Sequence, residues 1–507
     1  MEWKKLLCSD RVRNYTSSSS GDFRTEYEKD YHRIIGSASF RRLQDKTQVF
    51  PLERSDFVRT RLTHSLEVSS FAKSLGQNIS RGLQQNQTDS EFLPEYQGYV
   101  CDILQCAGLL HDIGNPPFGH FGETAIRDWF RTNLPKISYK RKDGRIQFLD
   151  QILSEQMKRD FYYFEGNTQA LRLVAKLHYL VDENGMNLTK ALLGTIIKYP
   201  GSSLERKSTS HIKYKKMGYY YAERELFADL QESLGTGGNR HPLAFVLEAA
   251  DDIAYKTADL EDAVKKGCIS YEQLVAELEQ AERKLEKEAE KAKQPEQKKP
   301  PERIVTVSQI ESFHKMTESL KRKYERAKQR GLKEPGINAV QNWAVYVQGW
   351  MINDATDSFI RNYTAVMDGT YGTHGEDLFT GTGGEAMMDA LGDIAYRYAF
   401  QIKPILKLEI AAQSVFDFLL ERFVQAALYY DTGEELTEVQ KKLMELLSDN
   451  YIAIYRRFAQ EAEEGKGAEE EKEAEKLYLR LLLVTDYICG MTDSYAKRLY
   501  QELKGID

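Results

Sequence analysis

The sequence predicts an all-α fold: a helical core, a further helical carboxyl-terminal region and few short strands. Three observations carry this expectation. Apolar residues recur at three- and four-residue intervals through most of the chain. Glycine and proline clusters interrupt those runs, and the tract 273–302 turns sharply to Glu, Lys, Ala and Gln, as in a charged helix leading into a linker.

Taken in order, residues 1–26 carry basic residues and the run Thr16 to Ser20, and are expected to form a flexible amino-terminal segment. A core unit is expected over 27–272, beginning with a helix from Tyr27 to Leu43 and a loop around Gln48 enforced by Pro51. The segment from Arg59 to Glu67 then opens a helix, with His64, Val68, Phe71 and Leu75 on one stripe. Val100, Ile103, Leu104, Ala107 and Leu110 form the next apolar face, which stops at His111-Asp112 because Gly114, Pro116 and Pro117 follow. His120 and Glu123, three residues apart, share a face of the helix after that turn. Helices are further expected from Gly166 through Leu177, from Asn187 to Tyr199, and from Pro242 onward. The charged helix and linker occupy 273–304. Residues 305–507 form the helical carboxyl-terminal region, with an irregular glycine-rich loop between Gly369 and Gly384 and an exposed charged tract from Glu461 to Lys476.

With 507 residues, 41% of them hydrophobic, the chain can bury a sizeable core, and its net charge of -7 argues against a globally basic nucleic-acid binder. The start has no apolar signal region and no run of about 18 apolar residues occurs, so a cytoplasmic chain without a membrane span is expected. Five cysteines without a Cys-x-x-Cys pair suggest neither a disulfide framework nor a thiolate zinc site.

The chemistry concentrates in His111-Asp112-Ile113-Gly114-Asn115-Pro116-Pro117-Phe118-Gly119-His120 and the following Glu123. A histidine on an apolar stripe, such as His64, is more often a hydrogen-bonded core residue than a ligand. Its partners reverse that weighting. His64, His111, Asp112 and Asp251 make a mixed nitrogen and oxygen set suited to Mn, Fe, Co, Ni, Zn or, less comfortably, Mg, with adjacent Asp252 as the competitor of Asp251. Asp251, Tyr255 and Asp259 recur every fourth residue and line one helix face, and Lys213, Lys215 and Lys216 cluster among tyrosines able to hold phosphate and sugar.

A first His, a His-Asp pair and a distant Asp on a helical scaffold resemble the HD-domain metal-dependent phosphohydrolases. The segments Arg59-Thr60-Arg61-Leu62-Thr63-His64-Ser65, His111 to Glu123, and Glu248-Ala249-Ala250-Asp251-Asp252-Ile253-Ala254-Tyr255 are similar to the deoxyguanosinetriphosphate triphosphohydrolase family. The resemblance covers about residues 30–265. It implies hydrolysis of a deoxynucleoside triphosphate, usually dGTP, to the deoxynucleoside and triphosphate, with Mg or Mn as the divalent ion in use. It implies His120 and Glu123 as the catalytic pair and His64, His111, Asp112 and Asp251 as ligands. It further places Arg61 at the phosphates, Gln48 near the nucleoside, Tyr255 and Asp259 at the sugar, and Asn167, Lys198 and Lys216, or Lys215 in its place, at the triphosphate. Self-association, as a hexamer, is implied as well, with the carboxyl-terminal region in subunit contacts. The alternatives are another HD phosphohydrolase acting on a different phosphoester, and a nucleotide-responsive binder of single-stranded nucleic acid.

Overall fold

The computed structural model describes residues 1–13, 21–50, 52, 58–178, 182–292 and 305–506. Helices of seven residues or more are numbered here, and they dominate the described residues. The one sheet among the described residues is a two-stranded antiparallel hairpin, β1 (Ser138–Lys140) and β2 (Ile146–Phe148), with Tyr139 opposite Gln147. The predicted all-α class with few short strands therefore holds.

The core is built on α2 (Arg61–Gln85), α3 (Tyr96–Leu110) and α9 (Pro242–Lys265). α1 (Glu26–Ile35) begins at a Thr25–Glu28 capping box. It ends at Gly36, so the single helix expected from Tyr27 to Leu43 is split, with a second short turn at Ala38–Arg42 and a 3-10 turn after it. α2 starts at Thr60, whose side chain accepts from the Thr63 amide and satisfies one of the orphan donors of the first turn. Its buried stripe of His64, Val68, Ala72, Leu75 and Ile79 lies against Ile103, Leu104 and Ala107 of α3.

Between α3 and α9 lie α4 (His120–Asn133), α5 (Glu155–Tyr162), α6 (Gly166–Arg172), α7 (Lys190–Ile196) and α8 (Arg224–Leu234). α6 passes into a wider π turn over Leu173–Leu177, within the expected helical span. α7 is shorter than the predicted Asn187–Tyr199: Asn187 has a positive φ of 48°, and Ile197 leaves the helix, which puts Lys198 in a bend.

Beyond the core, α10 (Tyr271–Ala292) packs on α11 (Val307–Gln329), which packs on α12 (Pro335–Arg361). The charged-helix expectation falls on α10, although Leu274 and Leu278 are buried on its inner stripe. The linker expected after it lies outside the described residues. α13 (Glu385–Ala395) follows the glycine-rich loop, and α14 (Lys403–Ala427), α15 (Glu438–Glu445), α16 (Asp449–Glu464), α17 (Glu469–Cys489) and α18 (Asp493–Lys504) complete the chain. α14 lies on α4 and α17, joining the carboxyl-terminal helices to the core.

The amino-terminal segment corrects one expectation. Residues 1–13 are not a loose lead-in: Trp3–Leu6 is a helical turn, Trp3 is buried, and its indole N–H donates to the Tyr363 hydroxyl at 2.7 Å. A buried indole requires such a partner, and composition alone does not reveal it. Residues 14–20 lie outside the described residues.

Candidate metal and phosphohydrolase site

His64 sits in the second turn of α2, His111 immediately after the last residue of α3, and Asp251 midway along α9. The packing of these three helices brings the side chains together. His64 Nε2 is 3.2 Å and His111 Nε2 3.4 Å from the same Asp251 oxygen, Oδ1, and the two rings meet edge to face at 5.2 Å. One ligand atom from each residue lies within 4.8 Å of the others. His111 Nδ1 is hydrogen-bonded to the Gly108 carbonyl at 2.8 Å, which fixes the ring and turns Nε2 inward. That buried Nε2 has no hydrogen-bond partner.

Burial opposes charge here, yet the carboxylates of Asp112 and Asp251 push the His111 imidazole up to about 10. Asp251 is half-buried, and desolvation raises its carboxyl, but Lys198 and His111 hold it well below the usual carboxylate range. A field that favours a proton between two imidazoles and a carboxylate favours a divalent cation in the same place, and the donor set fits one. Asp112 stands differently from the other three. Its Oδ2 is 3.5 Å from His111 Nε2, but it is paired with Arg61 Nη1, while Oδ1 accepts from Asn115 Nδ2 at 2.6 Å. The compact cluster is thus His64, His111 and Asp251, with Asp112 at its edge. Asp252 points elsewhere, 3.9 Å from Lys256.

The turn after His111 folds against the start of α6. At Gly114 a Cβ would overlap the Ala170 nitrogen and the Gly166 carbonyl oxygen, so only glycine permits the approach. Gly119 has φ of +61°, and a Cβ there would come within 2.6 Å of Arg61 Nη2. This geometry starts α4 at His120, whose side chain is 79% exposed, with Nδ1 3.2 Å from Oε2 of buried Glu123. Glu123 Oε1 accepts from the Gly166 amide at 2.6 Å, and Arg127 Nη2 reaches Oε2 at 3.2 Å. Burial raises the Glu123 carboxyl, but its hydrogen bond to His120 and the nearby Arg127 outweigh it and hold the group ionised. An ionised acid fixed in this way orients an exposed imidazole.

The remaining predicted positions surround these two groups. Arg61 is buried and ion-paired with Asp112, leaving its Nε without a partner. Lys198 Nζ is 2.7 Å from Asp251 Oδ2. Lys216 donates to Glu165 Oε2 at 3.0 Å, whereas Lys215 is exposed. Asn167 is half-buried in the first turn of α6. Gln48 lies in an irregular segment with a buried, unpartnered Oε1. Asp259 is 1% exposed with Oδ2 unpartnered, and burial and the neighbouring Asp262 raise its carboxyl well above the usual range. One turn away, the Tyr255 ring stacks on Phe400 at 6.2 Å.

Comparison with known proteins agrees with this geometry. A model described as the HD domain matches residues 61–198, which span His64 to Lys198, and one described as a phosphohydrolase-associated domain matches 406–502. A deoxyguanosinetriphosphate triphosphohydrolase-like protein of Listeria innocua is 47% identical over 100% of both chains. The chain belongs to this HD-domain family. Further members are a probable deoxyguanosinetriphosphate triphosphohydrolase of Pseudomonas aeruginosa, 34% identical over 95% of this chain and 93% of that one, and a deoxyguanosinetriphosphate triphosphohydrolase of Klebsiella pneumoniae, 33% identical over 95% and 94%.

As an HD-domain metal-dependent phosphohydrolase, the protein uses residues that sequence reasoning passed over. Arg127 continues the His120, Glu123 face at helical spacing, a signal that was present. Glu165 joins Arg127 at 2.7 Å to Lys216, linking distant segments with no local signal. Lys46 is fully buried, and its Nζ donates to the Asn115 carbonyl at 2.5 Å and the Cys489 carbonyl at 2.7 Å. Asp493 accepts from the Phe118 amide at 2.8 Å and the Thr47 amide at 3.0 Å. Both tie the turn that carries His111 and His120 to the carboxyl-terminal helices. No helix of the described residues is long and apolar enough to cross a membrane.

Proposed function

We propose that the protein hydrolyses dGTP, and to a lesser degree other deoxynucleoside triphosphates, to the deoxynucleoside and inorganic triphosphate. The observation that carries this reading is the single turn, residues 111–120, that starts at His111 in the His64, His111 and Asp251 cluster and ends at an exposed imidazole backed by a buried carboxylate. Such a pairing suits cleavage of a phosphate ester whose leaving group is a poorly stabilised alkoxide. A divalent cation held by His64, His111 and Asp251, with Asp112 at its edge, supplies polarisation of a phosphate oxygen.

The chain's own residues supply the rest. Water adds to the α-phosphorus and gives up a proton to solvent, the bond from that phosphorus to the sugar 5′-oxygen breaks, and the leaving oxygen takes a proton delivered from solvent through His120 Nε2. Glu123 holds the imidazole through Nδ1, which leaves Nε2 for that transfer. Arg61, Lys198 and Lys216 bring positive charge to the triphosphate, with Asn167 beside them. Gln48, Tyr255 and Asp259 serve the nucleoside: the tyrosine ring disfavours a 2′-hydroxyl and the aspartate accepts from the 3′-hydroxyl. The names carried by the full-length relatives support dGTP as substrate. Mg or Mn is the ion proposed in use, and a hexamer the assembly.

Product identification with each of the four deoxynucleoside triphosphates across a metal series tests the reading. Triphosphate as the first product supports it; pyrophosphate or monophosphate released first from dGTP sinks it. Turnover of phosphomonoesters or cyclic phosphodiesters instead would move the protein to another HD phosphohydrolase reaction. Salt-dependent binding of single-stranded DNA without turnover would indicate the binding role.

A further inference from the structure

Six arginines are buried among the described residues, and five of them, Arg11, Arg61, Arg141, Arg172 and Arg240, have a carboxylate within 4.0 Å. Arg480 is the exception. It is 3% exposed on α17, its Nε has no hydrogen-bond partner, and its Nη2 donates to the Tyr139 hydroxyl at 3.2 Å. The Tyr455 hydroxyl on α16 is its other neighbour. A buried guanidinium satisfied only by phenols carries an uncompensated charge, which is costly in a folded protein.

Arg480 lines a cavity of about 300 Å³ between β1, α16 and α17. Lys142, Arg456 and Lys476 also face it, and its carboxylates are engaged by other groups. Glu473 receives Arg141 at 3.0 Å and the Lys142 amide at 2.9 Å, Asp431 receives Arg456 at 2.9 Å, and Glu463 receives Lys476. Four cations against three carboxylates leave one positive charge, and the buried member without a carboxylate within 4.0 Å is Arg480. None of the residues assigned to the catalytic site lines this cavity.

We propose that this cavity is a second anion site that binds a phosphate or polyphosphate group. The guanidinium presents its fork, Lys142 and Lys476 add charge at the rim, and the two tyrosine hydroxyls donate to the remaining oxygens. The volume is at the low end for small-molecule pockets, which suits phosphate or triphosphate. The site stands independently of the substrate proposed above, because it shares no residue with that reading.

The test is calorimetric titration of the full chain with inorganic phosphate, triphosphate and dGTP, in chelator so that turnover is prevented. It is run in a Lys198→Ala, Lys216→Ala background that weakens phosphate binding at the catalytic site. Arg480→Met weakens the remaining binding about tenfold or more, and Arg480→Lys weakens it less. Phosphate raises the melting temperature of the parent and leaves that of Arg480→Met unchanged. Tighter binding of triphosphate than phosphate identifies a polyphosphate site; binding of dGTP alone among the three would replace phosphate recognition with nucleoside recognition and overturn the proposal. Equal affinity in parent and Arg480→Met would also overturn it. Should Arg480→Met fail to fold, Lys476→Met at the rim carries the same expectation of weakened binding.

Discussion

Lys198 Nζ lies 2.7 Å from Asp251 Oδ2, on the carboxylate whose other oxygen faces both His64 and His111. The carboxylate that would complete a metal site with the two histidines is therefore shared with a lysine cation. Any divalent ion competes with that ammonium for the same negative charge.

Lys198→Met is accordingly expected to tighten Mn binding by about tenfold, the scale of one relieved charge interaction, while it raises KM for dGTP. Metal titration and steady-state kinetics on the same preparation read the two effects separately. Unchanged metal affinity would show that the ion pair does not oppose the cation.

The two halves of the 111–120 turn separate by assay. His111→Ala and His64→Ala are expected to lose bound metal, whereas His120→Ala retains it and loses turnover by about 10²- to 10⁴-fold. Metal content measured by elemental analysis beside activity distinguishes them. Loss of metal in His120→Ala would place that histidine in the wrong role.

Asp493 holds two amides of different segments, the buried one of Phe118 and the half-buried one of Thr47. Removing its carboxylate leaves both donors unsatisfied, at a cost of about 2 to 3 kcal/mol. Phe118 itself has a φ of 59°, a conformation that a phenylalanine adopts only when its surroundings impose it. Asp493→Ala should lower both stability and kcat, with Asp493→Asn, which keeps one acceptor, in between. Chemical denaturation and initial rates provide the comparison.

His241 links the amino-terminal turn to α9. Its Nε2 faces the Leu6 carbonyl at 3.1 Å and its Nδ1 accepts from the Leu243 amide at 3.2 Å, so the neutral ring uses both nitrogens. Burial pushes it down to about 4, only partly opposed by Leu6. The unfolded chain binds this proton near pH 6.5 and the folded chain near 4, so the contribution is present above 6.5 and is lost as pH falls toward 4. The loss amounts to about 3 kcal/mol. His241→Asn should be less stable at pH 7.5 yet show a shallower fall in melting temperature between pH 6.5 and 4. An unchanged slope would remove His241 from the acid response.

The helical class was legible because stripes such as Val68, Phe71 and Leu75 on α2 repeat at the period of the helix, although Phe71 is half-buried and Ala72 beside it takes the buried place. His64, His111 and Asp251 were legible as types at plausible faces, and packing of α2, α3 and α9 unites them. The ion pair of Arg61 with Asp112 was not, because the same arginine three residues before a histidine could reach a phosphate or a carboxylate. Trp3 was misjudged because its partner Tyr363 is remote in sequence. Lys46 and Glu165 were missed for the same reason: a buried charge is recognised by what surrounds it, and those neighbours come from other elements.

The clamp by Asp493 gives the chain an order in time. By the moment Asp259 has been synthesised, every residue proposed to bind metal, move a proton or hold the nucleotide already exists, yet the aspartate that fixes Phe118 has not been made. The hydrogen bonds that fix Phe118 and Thr47 can therefore form only after α18 has been made, so the earlier segments reach this arrangement late in synthesis.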